Sequence, residues 1–386
     1  MSAAATGKPA TLVLADGTRF SGEAFGHDGT AVGECVFTTG MTGYQEVLTD
    51  PSYCGQLVTM TAPHIGNTGV NAADPENRDD RPRVAGLLVR DGLGAPSSWR
   101  SEASLHAYLD RHGVVALSGI DTRTLTQHLR DEGSMNAAMG TEDPEVLLRK
   151  AREAPPMEGL DLVAEVTPKE PYRWEEGTGI WRAAGTPGVP ETSLEPREGE
   201  RHVVVIDLGI KRNILRCLVD VGCRVTAVPA TTSAADVLAL KPDGIFVSNG
   251  PGDPAAVTYA VETLKGLLGK KPMFGICLGH QLMALAAGGS TYKLKFGHRG
   301  MNQPVKDLAS GRVEVTSQNH GFAVDLESLA GKAKTTHVHL NDGTSEGLVI
   351  DELDAFSVQY HPEAAGGPHD ALYLFERFVT RIDAAR

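Results

Sequence analysis

A chain of 386 residues with a formal net charge of −13 is long enough for two domains, each with its own core, and its acidity argues against nucleic acid or an anionic membrane as a partner. Its five cysteines, at 35, 54, 217, 223 and 277, form no CxxC pair and are odd in number, which suits a reducing compartment rather than a disulfide framework. The start, Met1-Ser2-Ala3-Ala4-Ala5-Thr6-Gly7-Lys8-Pro9, has no apolar signal region, and no later stretch reaches membrane-spanning length, so a soluble cytoplasmic protein is expected.

In chain order, the first half reads as short strands and turns. Residues 10–14 and 19–25 flank Asp16-Gly17, a hairpin turn signal. Further strands are predicted over 34–38, 57–61 and 84–89, and helices over 104–111 and 121–131, the second capped by Asp121 or Thr122. This half carries no nucleophile motif, metal-ligand cluster or phosphate loop. Beyond about residue 150 the pattern becomes irregular, and 168–200 is dense in proline, glycine and glutamate, with Trp174 and Trp181 as the expected anchors. That stretch reads as the connection between domains.

From Arg201 the pattern changes to alternating strand and helix. A β-branched strand over 202–207 ends at Gly209 and is followed by a helix to about 220. Strands over 224–229, 245–248 and 273–276 follow, with a helix over 234–240 between the first two. This βαβ rhythm implies a mainly parallel sheet covered on both faces, whose ligands sit beyond the carboxyl ends of its strands.

The most specific motif is Phe274-Gly275-Ile276-Cys277-Leu278-Gly279-His280-Gln281. A short apolar run leads into a cysteine with glycine two residues away on each side, and a helical stretch closed by Gly288-Gly289 follows. This is the spacing of a nucleophile elbow, with sulfur where hydrolases place serine. The glycines permit a tight strand-to-helix turn, and the helix N-terminus favours the reactive thiolate. A thiol nucleophile needs a base and a group to orient that base. Phe356-Ser357-Val358-Gln359-Tyr360-His361-Pro362-Glu363 supplies both: His361 falls just past a strand over 356–360, and Glu363, two residues on, can support its imidazole. The order Cys, His, Glu differs from the Ser, Asp, His order of α/β-hydrolases. A third mark, Val247-Ser248-Asn249-Gly250-Pro251-Gly252-Asp253-Pro254, is a strand ending in a glycine loop. It lacks the Lys-Ser/Thr of a Walker motif and is not G-x-G-x-x-G, so its better use is as half of an oxyanion hole.

These three marks, in this order, resemble the class I glutamine amidotransferase domain. Six further runs narrow the resemblance. They are Met41-Thr42-Gly43-Tyr44-Gln45-Glu46, Leu48-Thr49-Asp50-Pro51-Ser52-Tyr53, Pro63-His64-Ile65-Gly66-Asn67, Gly119-Ile120-Asp121-Thr122-Arg123, Gly209-Ile210-Lys211-Arg212-Asn213-Ile214-Leu215 and Gln318-Asn319-His320-Gly321-Phe322-Ala323-Val324. With them the chain resembles the small, glutamine-hydrolysing subunits of carbamoyl phosphate synthetase over nearly its full length, apart from the first few residues and the segment around 175–200.

The resemblance implies an α/β architecture: an N-terminal mixed, β-rich domain over 1–155, a linker over 156–200, and over 201–386 an amidotransferase domain with a mainly parallel, flavodoxin-like sheet covered by helices. It assigns catalysis to Cys277, His361 and Glu363, and the oxyanion donors to the backbone N–H groups of Leu278 and of Gly250 or Gly252. It places recognition of L-glutamine on Gln281, Asn319, Gly321 and Phe322, joined by Ser52 from the first domain, whose other expected task is docking. It calls for no metal and no cofactor in this chain. ATP and magnesium would belong to a large synthetase partner, in a heterodimer or higher oligomer, that makes carbamoyl phosphate from bicarbonate for arginine and pyrimidine synthesis. Rival readings are an amidotransferase subunit of another synthetase (for anthranilate, GMP or CTP), a catalytically silent docking subunit, and a cysteine peptidase on a similar fold. The first 150 residues speak against the first rival, and the joint presence of Cys277, His361 and Glu363 speaks against the second.

Overall fold

The structure is a computed structural model that describes residues 7–92, 94–179 and 200–386. Two compact units make up the chain: one runs to Leu160 and takes back Lys295–Gly300, and the other holds Asp161–Leu294 and Met301–Arg386.

In the first unit, Asp16-Gly17 does turn a hairpin. The Leu14 N–H donates to Thr18 O at 2.9 Å, the Thr18 N–H donates to Asp16 Oδ1 at 2.8 Å, and Gly17 takes a φ of 98°. Seven strands close into a barrel in the order Pro9–Leu14, Arg19–Gly26, Val115–Ser118, Gly86–Leu88, Gln56–Met60, Thr30–Thr38, Met135–Gly140. Closure leaves no open sheet edge, and Leu12, Leu14, Leu57, Leu88, Leu117 and Met139 fill one core. Two of these strands, Val115–Ser118 and Met135–Gly140, were not expected from the sequence. The second has no β-branched residue, yet it pairs with Pro9–Leu14 on one side and Thr30–Thr38 on the other, so pairing overrides its weak propensity. Helix Leu105–Arg111 is capped by Ser104 and helix Thr122–Glu132 by Asp121, whose carboxylate accepts the Thr124 N–H at 3.1 Å. Helices Tyr44–Thr49 and Pro144–Glu153 are also present.

Part of the expected linker is built into the second unit. Val163 is buried in one of that unit's cores, and Tyr172–Trp174 forms an edge strand antiparallel to Cys223–Pro229, with the Tyr172 hydroxyl donating to Asp207 at 2.7 Å. Trp174 is half-buried beneath the guanidinium of Arg212, whereas Trp181 lies outside the described residues.

The second unit is organised on a ten-stranded sheet. Its parallel part runs Cys223–Pro229, Arg201–Asp207, Gly244–Val247, Met273–Ile276, Ala355–Val358. Beyond Ala355–Val358 the sheet continues with antiparallel strands Ser345–Ile350, Lys334–His339, Ser290–Asp307 and Val313–Asp325, which the βαβ reading did not anticipate. Alternate residues of the parallel strands feed two cores. Val203, Val205, Phe246 and Phe274 meet helices Arg212–Asp220 and Tyr373–Ala384 on one face. Val204, Ile206, Ile245 and Val247 meet helices Thr258–Leu267 and Leu278–Ala286 on the other. A two-sided apolar run is what a parallel strand covered on both faces requires. Among the described residues, no helix is long and apolar enough to cross a membrane.

The aromatic centre of this sheet is tightly packed. Phe274 stacks on Phe356 at 4.4 Å between ring centroids and meets the edge of Phe246 at 5.1 Å. Phe274→Ala should destabilise the second unit by about 3–5 kcal/mol through lost burial and a residual cavity. The denaturant midpoint of that unit's transition measures this; a shift below about 1 kcal/mol would mean the cluster repacks.

Candidate active site

Strand Met273–Ile276 ends at Cys277, which N-caps helix Leu278–Ala286 with φ 54° and ψ −105°. Such a backbone is rare for a residue with a Cβ and is held only where its surroundings over-determine it. Here they do. The Cys277 N–H donates to Val358 O of the neighbouring parallel strand at 2.9 Å, and the Gln281 N–H returns to Cys277 O at 3.2 Å. The two glycines of the elbow are required by space: a Cβ on Gly275 would lie 2.5 Å from the Met283 sulfur, and one on Gly279 would run into the carbonyl of Val247. The thiol is buried, and its Sγ–H donates to Asn319 O at 3.6 Å.

His361 follows strand Ala355–Val358 and is fixed by its own backbone N–H, which donates to Ser317 O at 2.8 Å. Its Nδ1 lies 2.7 Å from Glu363 Oε1, so the ring donates there and leaves Nε2 for the Cys277 side. Glu363 is fully buried and also accepts from Lys211 Nζ at 2.9 Å. Asn213 donates to the Glu363 backbone carbonyl from the first turn of the same helix. Burial by itself would make the imidazole less basic, but the Glu363 carboxylate and the Cys277 sulfur beside it raise His361 well above the ordinary histidine value. Burial would likewise raise the Glu363 carboxyl; the Lys211 ammonium and the His361 ring hold it well below the usual range.

These groups emerge from the carboxyl ends of four adjacent parallel strands. Arg201–Asp207 leads to Lys211, Gly244–Val247 to the loop of Gly250 and Gly252, Met273–Ile276 to Cys277, and Ala355–Val358 to His361 and Glu363. Gly250 packs so closely on Leu278 and on the carbonyl of Leu208 that it has no room for a side chain. Asn249 secures the loop: its Oδ1 accepts the Lys211 N–H at 3.1 Å and its Nδ2 donates to Gly209 O at 3.2 Å. From strand Val313–Asp325 come Asn319, Gly321 and Phe322, and the Phe322 carbonyl accepts from Gln281 Nε2 at 2.7 Å. Ser52 sits in the first unit, in the turn Pro51–Tyr53, where Asp50 Oδ1 accepts its N–H at 2.9 Å.

Sequence reasoning had not singled out Lys211, Asn213 or Asn249 as site residues. Their signals were membership of runs already quoted for the family resemblance and position, in the loop or helix start that follows a buried strand ending at the same edge.

Two family descriptions match the chain. "Carbamoyl-phosphate synthase small chain, CPSase domain" matches residues 12–139, and "Glutamine amidotransferase class-I" matches 204–381. The carbamoyl phosphate synthase small chain of Syntrophotalea carbinolica is 56% identical over 379 residues, covering 98% of each chain. The chain belongs to that small-chain family. The protein of the same name from Synechocystis sp. is 56% identical, covering 97% of this chain and 96% of its own, and that from Thermosynechococcus vestitus is 55% identical, covering 98% and 97%. Within the family's two-part plan, Lys211, Gly250, Cys277, Gln281, Phe322, His361 and Glu363 all fall in the class I amidotransferase match, and Ser52 falls in the small-chain match.

The Lys211–Glu363–His361 chain links protonation to stability. Glu363 is depressed in the folded state, so the stability it confers is complete above the ordinary carboxylate range and is lost as pH falls through the folded value. His361 is raised, so its contribution is complete below the ordinary imidazole value and is lost as pH climbs through the raised one. Lys211→Met removes the charge that holds Glu363 down, and the acid limb of the stability profile should move to higher pH. Thermal melts across the acid range measure this, and an unmoved limb would show that the ammonium does not set the carboxylate.

Proposed function

We propose that this chain is the glutaminase subunit of a glutamine-hydrolysing carbamoyl phosphate synthase, working through Cys277, His361 and Glu363. The observation that carries the reading is a cysteine held at positive φ on a helix N-terminus, beside an imidazole whose far nitrogen meets a buried carboxylate at 2.7 Å.

His361 Nε2 takes the Cys277 proton, and Glu363 stabilises the imidazolium that forms. The thiolate attacks the γ-carboxamide carbon of L-glutamine. The oxygen of the tetrahedral intermediate becomes negative, and the N–H groups of Leu278 and of Gly250 or Gly252 are the donors for it, each worth about 3–4 kcal/mol by analogy with measured oxyanion holes. Collapse breaks the C–N bond, the leaving nitrogen takes the proton from His361, and ammonia departs. A γ-glutamyl thioester remains. Water, deprotonated by the same imidazole, hydrolyses it to glutamate and the free thiol. Gln281, Asn319, Gly321 and Phe322 would bind the amino-acid end of the substrate.

Ammonia is then consumed by a large synthetase chain, which holds ATP and magnesium and combines it with bicarbonate. The family membership and the small-chain match over 12–139 support that partnership. Cys277→Ala should abolish glutamine-dependent carbamoyl phosphate formation by the complex while synthesis from added ammonia continues at the wild-type rate. Equal loss of both activities in an intact complex would mean that the thiol does not serve ammonia release alone.

A further inference from the structure

The segment read from the sequence as a connection lies against one continuous element of the second unit, the loop and helix that deliver Lys211 and Asn213 to Glu363. Tyr172 donates to Asp207 Oδ2 at 2.7 Å. Thr167 donates to the Asp207 carbonyl at 2.7 Å and accepts the Ala230 N–H at 2.9 Å. Farther along, the Arg212 guanidinium sits 5.6 Å from the centre of the Trp174 ring, Arg216 pairs with Glu176 at 2.8 Å, and Asp220 accepts the Thr178 N–H at 3.2 Å. Positions 212, 216 and 220 are spaced by four, so they form one stripe along helix Arg212–Asp220. Gly177 lies so close to the Asp220 carboxylate that a side chain there would collide with it. The segment 167–178 is thus a splint along the whole element.

Asp207 is where the splint meets the loop. Its Oδ1 accepts the N–H groups of Gly209 and Ile210, each at 2.9 Å, and Gly209 turns with a φ of 109°, a conformation that favours glycine. Those bonds are internal to the loop and move with it. The loop is tied to its surroundings on two sides. Toward strand Gly244–Val247, the Leu208 N–H donates to Ser248 Oγ at 2.9 Å and the Lys211 N–H to Asn249 Oδ1 at 3.1 Å. Toward strand Cys223–Pro229, Tyr172 and Thr167 hold it, and Tyr172–Trp174 is itself the edge strand paired with that neighbour. Without this second hold the loop is gripped from one side only, four residues before the ammonium that meets Glu363.

We propose that Tyr172 and Asp207 are positioning residues of the catalytic chain, the tyrosine hydroxyl holding the carboxylate that turns the loop so that Lys211 reaches Glu363. The proposal rests on the glutaminase reading given above and adds the part of the connecting segment that sets its geometry. Both residues act through Lys211 rather than on substrate.

The test is a double-mutant cycle on the full chain, read by L-glutamine hydrolysis and by thermal melts across the acid range. Tyr172→Phe removes the hydroxyl and keeps the ring in the edge strand. Its kcat should fall about fivefold, the scale of one hydrogen bond, with KM for L-glutamine little changed. The groups facing Glu363 are the Lys211 ammonium and the His361 ring, with the Cys277 thiol beyond that ring. They hold the carboxyl low, so a retreating ammonium lets its folded value climb and the acid limb of the stability profile moves to higher pH. In a Lys211→Met background, Tyr172→Phe should add nothing to either readout, because its effect runs through that lysine. Thr167→Val removes the splint's other hydroxyl from Asp207 and should give the same pattern; it decides the matter alone if Tyr172→Phe does not fold. An unchanged kcat and acid limb in Tyr172→Phe, or an effect that persists in full without Lys211, overturns the proposal. A wild-type chain inactive on L-glutamine overturns the glutaminase reading instead, and the melts still test the splint.

Discussion

The second unit depends on one backbone conformation that a cysteine does not adopt unaided. Holding Cys277 at φ 54° and ψ −105° costs about 1–3 kcal/mol locally, so it must be imposed from outside. The imposition comes from the sheet. Val358 takes the Cys277 N–H, the neighbouring strand Gly244–Val247 crowds Gly279, and Met283 on the helix crowds Gly275. Strand and helix can approach this closely only because both glycines lack side chains. The close approach is what turns the thiol out at the strand end and places it on the first turn of a helix. Other features of the site, from the strand of His361 to the carbonyls of 319–322, are positioned relative to that elbow.

A second constraint is electrostatic. Three ionisable groups, Lys211, Glu363 and His361, are buried in one chain of contacts of 2.9 and 2.7 Å. Burial alone would favour the neutral carboxyl, and the Lys211 ammonium and the His361 ring beside it hold Glu363 ionised. Such an arrangement is weak evidence for stability, because an apolar replacement of the whole set could serve the fold as well. Breaking it is different, since one uncompensated charge left inside costs about 3–5 kcal/mol. The network is therefore better understood as fixing geometry. The carboxylate orients the imidazole, the ammonium keeps the carboxylate ionised, and the helix start that carries Lys211 also sends Asn213 to the carbonyl of Glu363.

What was legible in the sequence was what is local. The elbow can be read because glycine spacing and an apolar strand lie within eight residues, and the hairpin at Asp16-Gly17 because two residues decide the turn. Asp121 is legible as a cap for the same reason. Lys211 was not, because its partner is 152 residues away and neither periodicity nor spacing connects them. Strand Met135–Gly140 was missed because its alanines and methionines have no strand preference of their own and follow their neighbours. The antiparallel half of the large sheet was missed for another reason. Between 290 and 350 the chain lacks α-helices to set a βαβ rhythm, and long polar strands such as Ser290–Asp307 do not show the short apolar runs of a buried parallel strand.

That antiparallel half has a chemical consequence for the site. Carboxyl ends of parallel strands and helix N-termini gather backbone N–H groups and a positive potential, which suits a developing oxyanion and a thiolate. The same environment is poor at holding a cation, since it offers few acceptors. Strand Val313–Asp325 runs in the sheet's other arrangement and, through the bridge between Ser317 and His361, brings backbone carbonyls to the elbow. Asn319 O meets the thiol and Phe322 O meets Gln281. By tying up the amide nitrogen of Gln281, Phe322 turns a helix side chain into one more acceptor. A mixed sheet thus provides donors from its parallel part and acceptors from its antiparallel part, and a zwitterionic amino-acid amide needs both at once.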